Sequence, residues 1–244
     1  MQFPGSRIEV GRQPPIPEAV QVRIADTGFV LDQLTAMNSG ANPDAEHRPL
    51  PAGLAGTLDP TRIGMFGHSL GGATAADTMA ADRRIQAGLN LDGSIIVKNL
   101  PAPGDQAALL QVKLLARAVA TKIGDRPFMI MTHDGHGPHD DPTLQEFLAG
   151  LTGWRRCLTM TGSGHYTYTD DEEFLSQLAD ARIIPPHLAS QVVIPAIGTI
   201  DPARAITTER AYIAAFFDQY LRNRPRSLLN GPSTLYPEIQ FIPS

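Results

Sequence analysis

Residues 62–80 read RIGMFGHSLGGATAADTMA, and this stretch constrains the fold more than any other. A short apolar run, 62–66, predicts a strand. Gly67, His68, Ser69, Leu70 and Gly71 follow, and a run of small side chains at 72–81 predicts a helix packed closely on that strand. A strand that becomes a helix within so few residues must turn sharply, and glycines beside the turn let two backbones approach each other. The residue at its apex sits in strained backbone, and here it is a lone serine. Such a turn projects the serine hydroxyl above the edge of a sheet. The amide of Leu70, at the start of the helix, points where negative charge would develop on a reacting carbonyl, and the helix N-terminus adds partial positive charge there.

The rest of the chain repeats the strand-then-helix rhythm. Helical spacing of Val20, Ile24, Leu31 and Leu34 after Pro17 predicts a helix that stops at Asn38-Ser39-Gly40. A polar, Pro- and Gly-rich loop fills 41–60. Further strands are expected at 87–91, 127–131 and 157–161, and helices at 105–122, 143–151 and 170–180 and from 202 to about Asn223. Asp141-Pro142 and Asp201-Pro202 each read as a cap followed by a first helical residue. Thr169 is expected to cap the helix over 170–180. The tail LLNGPSTLYPEIQFIPS reads as extended. Short, continuously apolar strands alternating with helices define an α/β fold with a mostly parallel sheet covered on both faces. With 244 residues and 42% hydrophobic content the chain can bury a core of its own, and 1–244 is expected to form one domain.

Charge and cysteine usage exclude several classes. The net charge of −5 and the lack of a Lys/Arg run argue against nucleic-acid binding. No apolar run approaches the ~20 residues of a membrane-spanning helix. The start, MQFPGSRIEV, lacks the charged and apolar regions of a secretory signal, so a cytoplasmic location is expected for the sequence as written, and secretion if a segment precedes it. The single cysteine, Cys157 in RRCLTM, allows no internal disulfide and reads as a packing residue.

A serine nucleophile needs a base, and the base needs an orienting carboxylate. His165, in TGSGHYTYTD directly after the fourth strand, is the candidate base. His68 is expected to point away from Ser69 and pack beneath the turn, and His47 and His187 fall in loops. The acid has two candidates, both at strand C-terminal ends where sites in open α/β sheets form. Asp92 closes the strand AGLNLD and is favoured because an apolar strand should fix it. Asp134, after PFMIM, is the alternative.

The segments GHSLGGATAADTMAADRRIQAGLNLDGS, RPFMIMTHDGHGPHDDP and TGSGHYTYTD, in that order, resemble the platelet-activating factor acetylhydrolase-like α/β-hydrolases. Gly-x-Ser-x-Gly between a strand and a helix is the nucleophile elbow of that fold. The resemblance implies Ser69 as nucleophile, Asp92 as acid and His165 as base. It implies hydrolysis of short-chain or lipid-like carboxylic esters through an acyl-enzyme, without metal or cofactor. The chain is also similar to bacterial lipases and cutinase-like hydrolases, which place the acid at the Asp134 position. One departure stands out. No strand-helix-strand unit is legible before residue 62, and MQFPGSRIEVGRQPPIP resembles the region after the fourth strand of such a hydrolase. The sequence therefore reads as the C-terminal part of the fold, with no counterpart of the loop that supplies the second oxyanion amide.

Two consequences and two rival readings follow. An uncovered sheet edge should favour a homo-oligomer. Leu70, Tyr166, Tyr168 and Phe66 suggest a neutral, apolar acyl group, with the helix over 105–122 as a lid or wall of its pocket or as an ordinary core helix. One rival is a non-catalytic interaction module that keeps the reactive residues without a complete site. The other is a metal-dependent hydrolase using His133, Asp134, His136, His139, Asp140 and Asp141, although their spacing suits no familiar metal-binding helix or hairpin.

Overall fold

The structure is a computed structural model that describes residues 16–96 and 104–243. Strands β1 (Ile63–His68), β2 (Ile85–Leu91), β3 (Phe128–His133) and β4 (Arg155–Met160) run parallel in sequence order. The far edge is closed by β5 (Ile239–Ile242), antiparallel to β4, with Met160 opposite Ile239 and Cys157 opposite Ile242. The tail that the sequence presents as merely extended thus supplies a fifth strand.

Each of the first three strands is followed by a crossover containing a helix: α2 (Leu70–Ala81) after β1, α3 (Gln106–Ile123) after β2 and α4 (Pro142–Gly150) after β3. Helix α1 (Ile16–Asn38) precedes the sheet. Helices α5 (Asp171–Asp180), α6 (Pro186–Ile197) and α7 (Pro202–Leu221) lie between β4 and β5. Asp105, Asp141 and Asp201 cap α3, α4 and α7 by accepting from the amides of Ala108, Thr143 and Arg204. At α5, Thr169 acts one residue early, its hydroxyl accepting from the Asp171 amide.

Two-sided burial explains why the strands are apolar throughout. Phe128 and Ile130 of β3 join the core beneath α1–α4, whereas Met129 and Met131 join the core beneath α7. All four are fully buried, and each contributes about 1.5–3 kcal/mol by leaving water. The small residues of α2 let it lie close to the sheet, with Gly72, Ala73, Ala75 and Ala76 all buried. Helix α3 turns Val112, Ala116, Ala120 and Ile123 inward and packs on α4 and α2, so it is a core helix. Cys157 is buried in that same core, which pushes its thiol up to about 12 and leaves it a packing residue.

Two local expectations need correction. Helix α6 goes unread in PPHLASQVVIPAI because a proline pair opens it and Pro195 sits inside it. His187 consequently lies in the first turn of a helix, exposed, rather than in a loop. Among the described residues no strand precedes β1, and a cavity of about 500 Å³ lies beside it, lined by Leu31, Leu34, Leu58, Ile63, Phe217 and Leu221. The segment MQFPGSRIEVGRQPP lies outside the described residues.

Candidate active site

Strands β1 and β2 end alike. The Ser69 amide donates to the Leu91 carbonyl at 2.8 Å, and the Asp92 amide donates to the Met131 carbonyl at 2.7 Å. Each residue extends its ladder by one bond and then turns into the left-handed region, with φ of 54° at Ser69 and 56° at Asp92. Non-glycine residues adopt such backbone at a cost of order 1–3 kcal/mol, and only where the surroundings dictate it. Here the reversal lifts both side chains over the C-terminal edge of the sheet.

The surroundings that enforce it are close backbone contacts. A Cβ on Gly67 would stand 2.5 Å from the Gly71 carbonyl carbon, so the turn closes only without one. A Cβ on Gly93 would stand 2.1 Å from the Ser69 carbonyl oxygen. The buried Asn90 amide bridges the second turn, donating to the Gly93 carbonyl and accepting from the Gly93 amide, each at 2.7 Å. A Cβ on Gly72 would meet that same Asn90 side chain at 2.0 Å, whereas one on Gly71 would meet nothing within 4 Å. Among the described residues the steric demand therefore falls on Gly67 and Gly72, and the second glycine of Gly-x-Ser-x-Gly, Gly71, meets no packing constraint.

Asp92, Ser69 and His165 come together. His165 Nε2 lies 3.0 Å from Ser69 Oγ, and His165 Nδ1 lies 2.5 Å from Asp92 Oδ2. Asp92 is buried, which by itself would raise its pKa, but hydrogen bonds from His133, His136 and His165 outweigh burial and hold it well below the usual carboxylate range. An ionised carboxylate only accepts, so Nδ1 of His165 carries the proton and Nε2 presents its lone pair to the serine hydroxyl. Leu70 opens α2, where backbone amides have no partner within the helix. A cavity of about 370 Å³ gathers Ser69, Leu70, Asp92, Ser94, His133, His136 and His165.

Asp134, the alternative acid, is exposed and turned elsewhere. Its Oδ2 accepts from the Gly162 amide at 2.9 Å, at the base of the loop that carries His165. That loop is fixed from several directions. The Thr199 and Ile200 amides donate to the Gly162 carbonyl at 2.7 and 3.0 Å. Thr167 Oγ1 donates to the Ile197 carbonyl and accepts from the Gly164 amide. A Cβ on Gly164 or Gly198 would meet backbone at 2.5 or 2.1 Å.

His68 does more than pack beneath the turn. Its Nε2 donates to the His165 carbonyl at 2.8 Å, its ring lies 4.6 Å from the His165 ring, and burial lowers its pKa. It joins the serine turn directly to the base loop. Of the aromatic residues expected around the acyl group, Phe66 faces Phe217, and Tyr168 is buried with its hydroxyl donating to the Thr132 carbonyl. Tyr166 stands exposed, edge-on to His165 at 5.1 Å.

The six residues His133, Asp134, His136, His139, Asp140 and Asp141 do not converge on one point. His139 and Asp140 are exposed, Asp134 holds Gly162, and Asp141 caps α4. His133 and His136 instead turn their Nδ1 atoms to Asp92, at 2.6 and 2.8 Å, and the His133 amide donates to Asp92 Oδ1 at 3.0 Å. Ligand-type atoms of Asp92, His133 and His136 lie within 4.8 Å of one another. However, the carboxylate already accepts from these histidines and from His165, which describes a saturated hydrogen-bond network. Sequence reasoning missed this use of the two histidines. The available signal was that β2 and β3 are adjacent, so the end of β3 must meet Asp92.

The fold is that of the α/β-hydrolases. A solved structure of a ferulic acid esterase from Streptomyces cinnamoneus superposes on the whole chain with a TM-score of 0.68 and 32% identity. Within that class the chain is similar to the platelet-activating factor acetylhydrolases. Residues 18–102 match the family described as platelet-activating factor acetylhydrolase, isoform II. A protein of Arthroderma benhamiae, described as a probable 1-alkyl-2-acetylglycerophosphocholine esterase, is 28% identical over 91% of this chain. The platelet-activating factor acetylhydrolase of Cavia porcellus is 26% identical over 69% of it. The chain spans 48% and 32% of the lengths of these two proteins, and 62% of the Streptomyces chain.

Proposed function

We propose that the chain hydrolyses carboxylic esters with Ser69 as nucleophile, His165 as general base and acid, and Asp92 as the group that orients His165. The observation that carries this reading is the continuous line from Ser69 Oγ to His165 Nε2, at 3.0 Å, and from His165 Nδ1 to Asp92 Oδ2, at 2.5 Å. His165 takes the serine proton as Oγ attacks the ester carbonyl. The carbonyl oxygen becomes an oxyanion facing the Leu70 amide at the N-terminus of α2. His165 then gives the proton to the leaving alkoxide, an acyl-enzyme remains, and a water activated by the same imidazole releases the acid. Asp92, kept ionised, stabilises the imidazolium that forms at each step.

The names of the similar proteins support the reading at the level of the bond cleaved. Those names point to different acyl groups, acetyl in one and feruloyl in the other. The cavity includes Leu70, and among the described residues Asp92 is the one Lys, Arg, Asp or Glu that lines it, which suits a neutral, short acyl group. The purified chain is expected to turn over a short p-nitrophenyl ester and to be labelled at Ser69 by an alkyl phosphonate, with no loss of rate in a chelator. Ser69→Ala should abolish both turnover and labelling. Full activity in that variant would overturn the mechanism, and no activity in the wild-type chain would favour an interaction module.

A further inference from the structure

We propose that His136 is a positioning residue for this chemistry: an imidazolium held between Asp92 and Asp141 that keeps His165 a free base to lower pH. The inference rests on the reading of Ser69, His165 and Asp92 as the reacting set.

Asp92 and Asp141 are both buried carboxylates, and they approach the same ring from opposite sides. His136 Nδ1 lies 2.8 Å from Asp92 Oδ1, and His136 Nε2 lies 3.9 Å from Asp141 Oδ2. The second separation is an ion-pair distance rather than a hydrogen bond. Asp141 Oδ1 is taken by the Thr143 amide and hydroxyl, whereas Asp141 Oδ2 is buried with no hydrogen bond of good geometry, His136 and the Ser94 side chain being the polar groups beside it. A buried, uncompensated carboxylate oxygen is costly, and a cation beside it removes most of that cost. A neutral His136 that donates from Nδ1 to Asp92 would turn the lone pair of Nε2 toward a carboxylate. A protonated one donates on both sides. The two carboxylates push the His136 pKa up to about 9, Asp141 contributing most and Asp92 next, against the opposing effect of burial.

Four further titratable side chains lie around this network among the described residues. His133, from the end of β3, stacks at 5.2 Å and also donates to Asp92. His165, from the base loop, shares Oδ2 of that carboxylate. His68, from β1, has its pKa lowered by burial, and Tyr168 has its pKa raised well above the ordinary value by burial, so both are neutral.

The consequence falls on His165. An unshared carboxylate raises the pKa of an imidazole hydrogen-bonded to it, because it favours the charged form. A cation on the other oxygen of Asp92 draws on the same negative charge and lowers that pKa again. Removing the cation should raise the His165 pKa, so His165 would be protonated, and useless as a base, at a higher pH. The acid limb of kcat/KM should move upward. Loss of packing alone would lower the plateau and leave the limb in place.

Histidine imidazole nitrogen NMR on the whole chain, with kcat/KM measured against pH, tests this. In the wild-type protein at pH 7, both His136 nitrogens are expected to be protonated. In His136→Gln, which keeps a donor and loses the charge, the His165 midpoint and the acid limb should both rise by about one pH unit. A neutral His136 at pH 7 in the wild-type protein would overturn the proposal, whether or not the variant folds. So would an unmoved His165 midpoint in folded His136→Gln. If Ser69→Ala kept its activity, the function reading would fail alone, and the His165 midpoint, which needs no turnover, would still decide the role of His136.

Discussion

The serine turn and the histidine loop meet across 3.0 Å, yet they are built in different ways. The turn is local. Gly67, Ser69 and Gly72 fall within six consecutive residues, and the contact that forces the reversal is between Gly67 and Gly71. The loop is assembled from afar. His165 is held by Asp134 at the end of β3, by the C-terminal end of α6, by residues 199–200 and by His68 of β1. A motif that makes its own geometry can be recognised in a sequence. A position made by four distant segments carries little local signature beyond its small residues.

The largest expected effect separates the two carboxylates. Asp92→Asn should lower kcat by on the order of 10⁴, because an amide no longer enforces the Nδ1–H tautomer of His165. Asp134→Asn keeps an acceptor for the Gly162 amide and removes only the charge, so it should cost less than about tenfold in kcat/KM. Comparable losses in the two variants would show that the loop depends on Asp134 far more than its exposed position indicates.

Next in size is a contrast inside the turn. Gly67→Ala places a methyl against backbone, so Ser69 must shift, and a displacement near 1 Å can cost on the order of 10²-fold in rate. Gly71→Ala meets open space inside the first turn of α2, where alanine is the better helix former. It should keep its rate within about twofold and melt no lower than the wild type. A severe defect in Gly71→Ala would mean that the second glycine has a role that packing does not reveal.

A smaller effect concerns the ground beneath the histidine loop. Glu172, in the first turn of α5, is fully buried, and its carboxylate makes no hydrogen bond of good geometry, with the Thr167 side chain as its polar neighbour. Burial pushes its pKa up to about 7 from an ordinary value of 4.5. The folded state then holds a proton that the unfolded state has already released, so this contribution to stability is full below pH 4.5. It falls as pH rises to about 7 and stays lost above that. Glu209, also pushed up to about 7 by burial, acts in the same sense. Glu172→Gln should flatten the fall in Tm between pH 5 and 8 and melt higher than the wild type at pH 8. An unchanged slope would assign the pH dependence to Glu209 and to Asp77, which burial pushes up to about 6.

The smallest effect lies at the β1 edge, away from both halves of the site. Leu31, Leu34, Leu58, Ile63, Phe217 and Leu221 line the cavity there. Burial of this surface against a second copy, at ~25 cal/mol per Å², would favour weak self-association. Light scattering at rising concentration should show a dimer, and Leu34→Glu should return it to monomer with the esterase rate unchanged. A monomer at all concentrations would remove self-association from the account.

By itself the sequence determined the strand and helix alternation, the serine turn and the positions of Ser69, Asp92 and His165 along the chain. Each of these rests on short-range physics. Strands buried on two faces must be apolar, Asp-Pro pairs start helices, and a tight strand-to-helix turn requires glycine at Gly67. The tertiary structure decided what the histidines do. His68 read as a packing residue, and His133 and His136 as part of a solvated polar loop or, in the rival reading, of a metal cluster, because nothing local shows that β2 and β3 end side by side. Once β2 and β3 pair, the Asp92 carboxylate lies where the ladder would continue and takes the His133 amide in place of a backbone carbonyl. The imidazoles of His133, His136 and His165 then converge on that one carboxylate. The same holds for Asp134, whose partner at Gly162 lies 28 residues away, and for α6, whose C-terminal end braces the base loop although its prolines disguise it as irregular chain. These roles depend on which strand ends become neighbours, and only the packed sheet sets that.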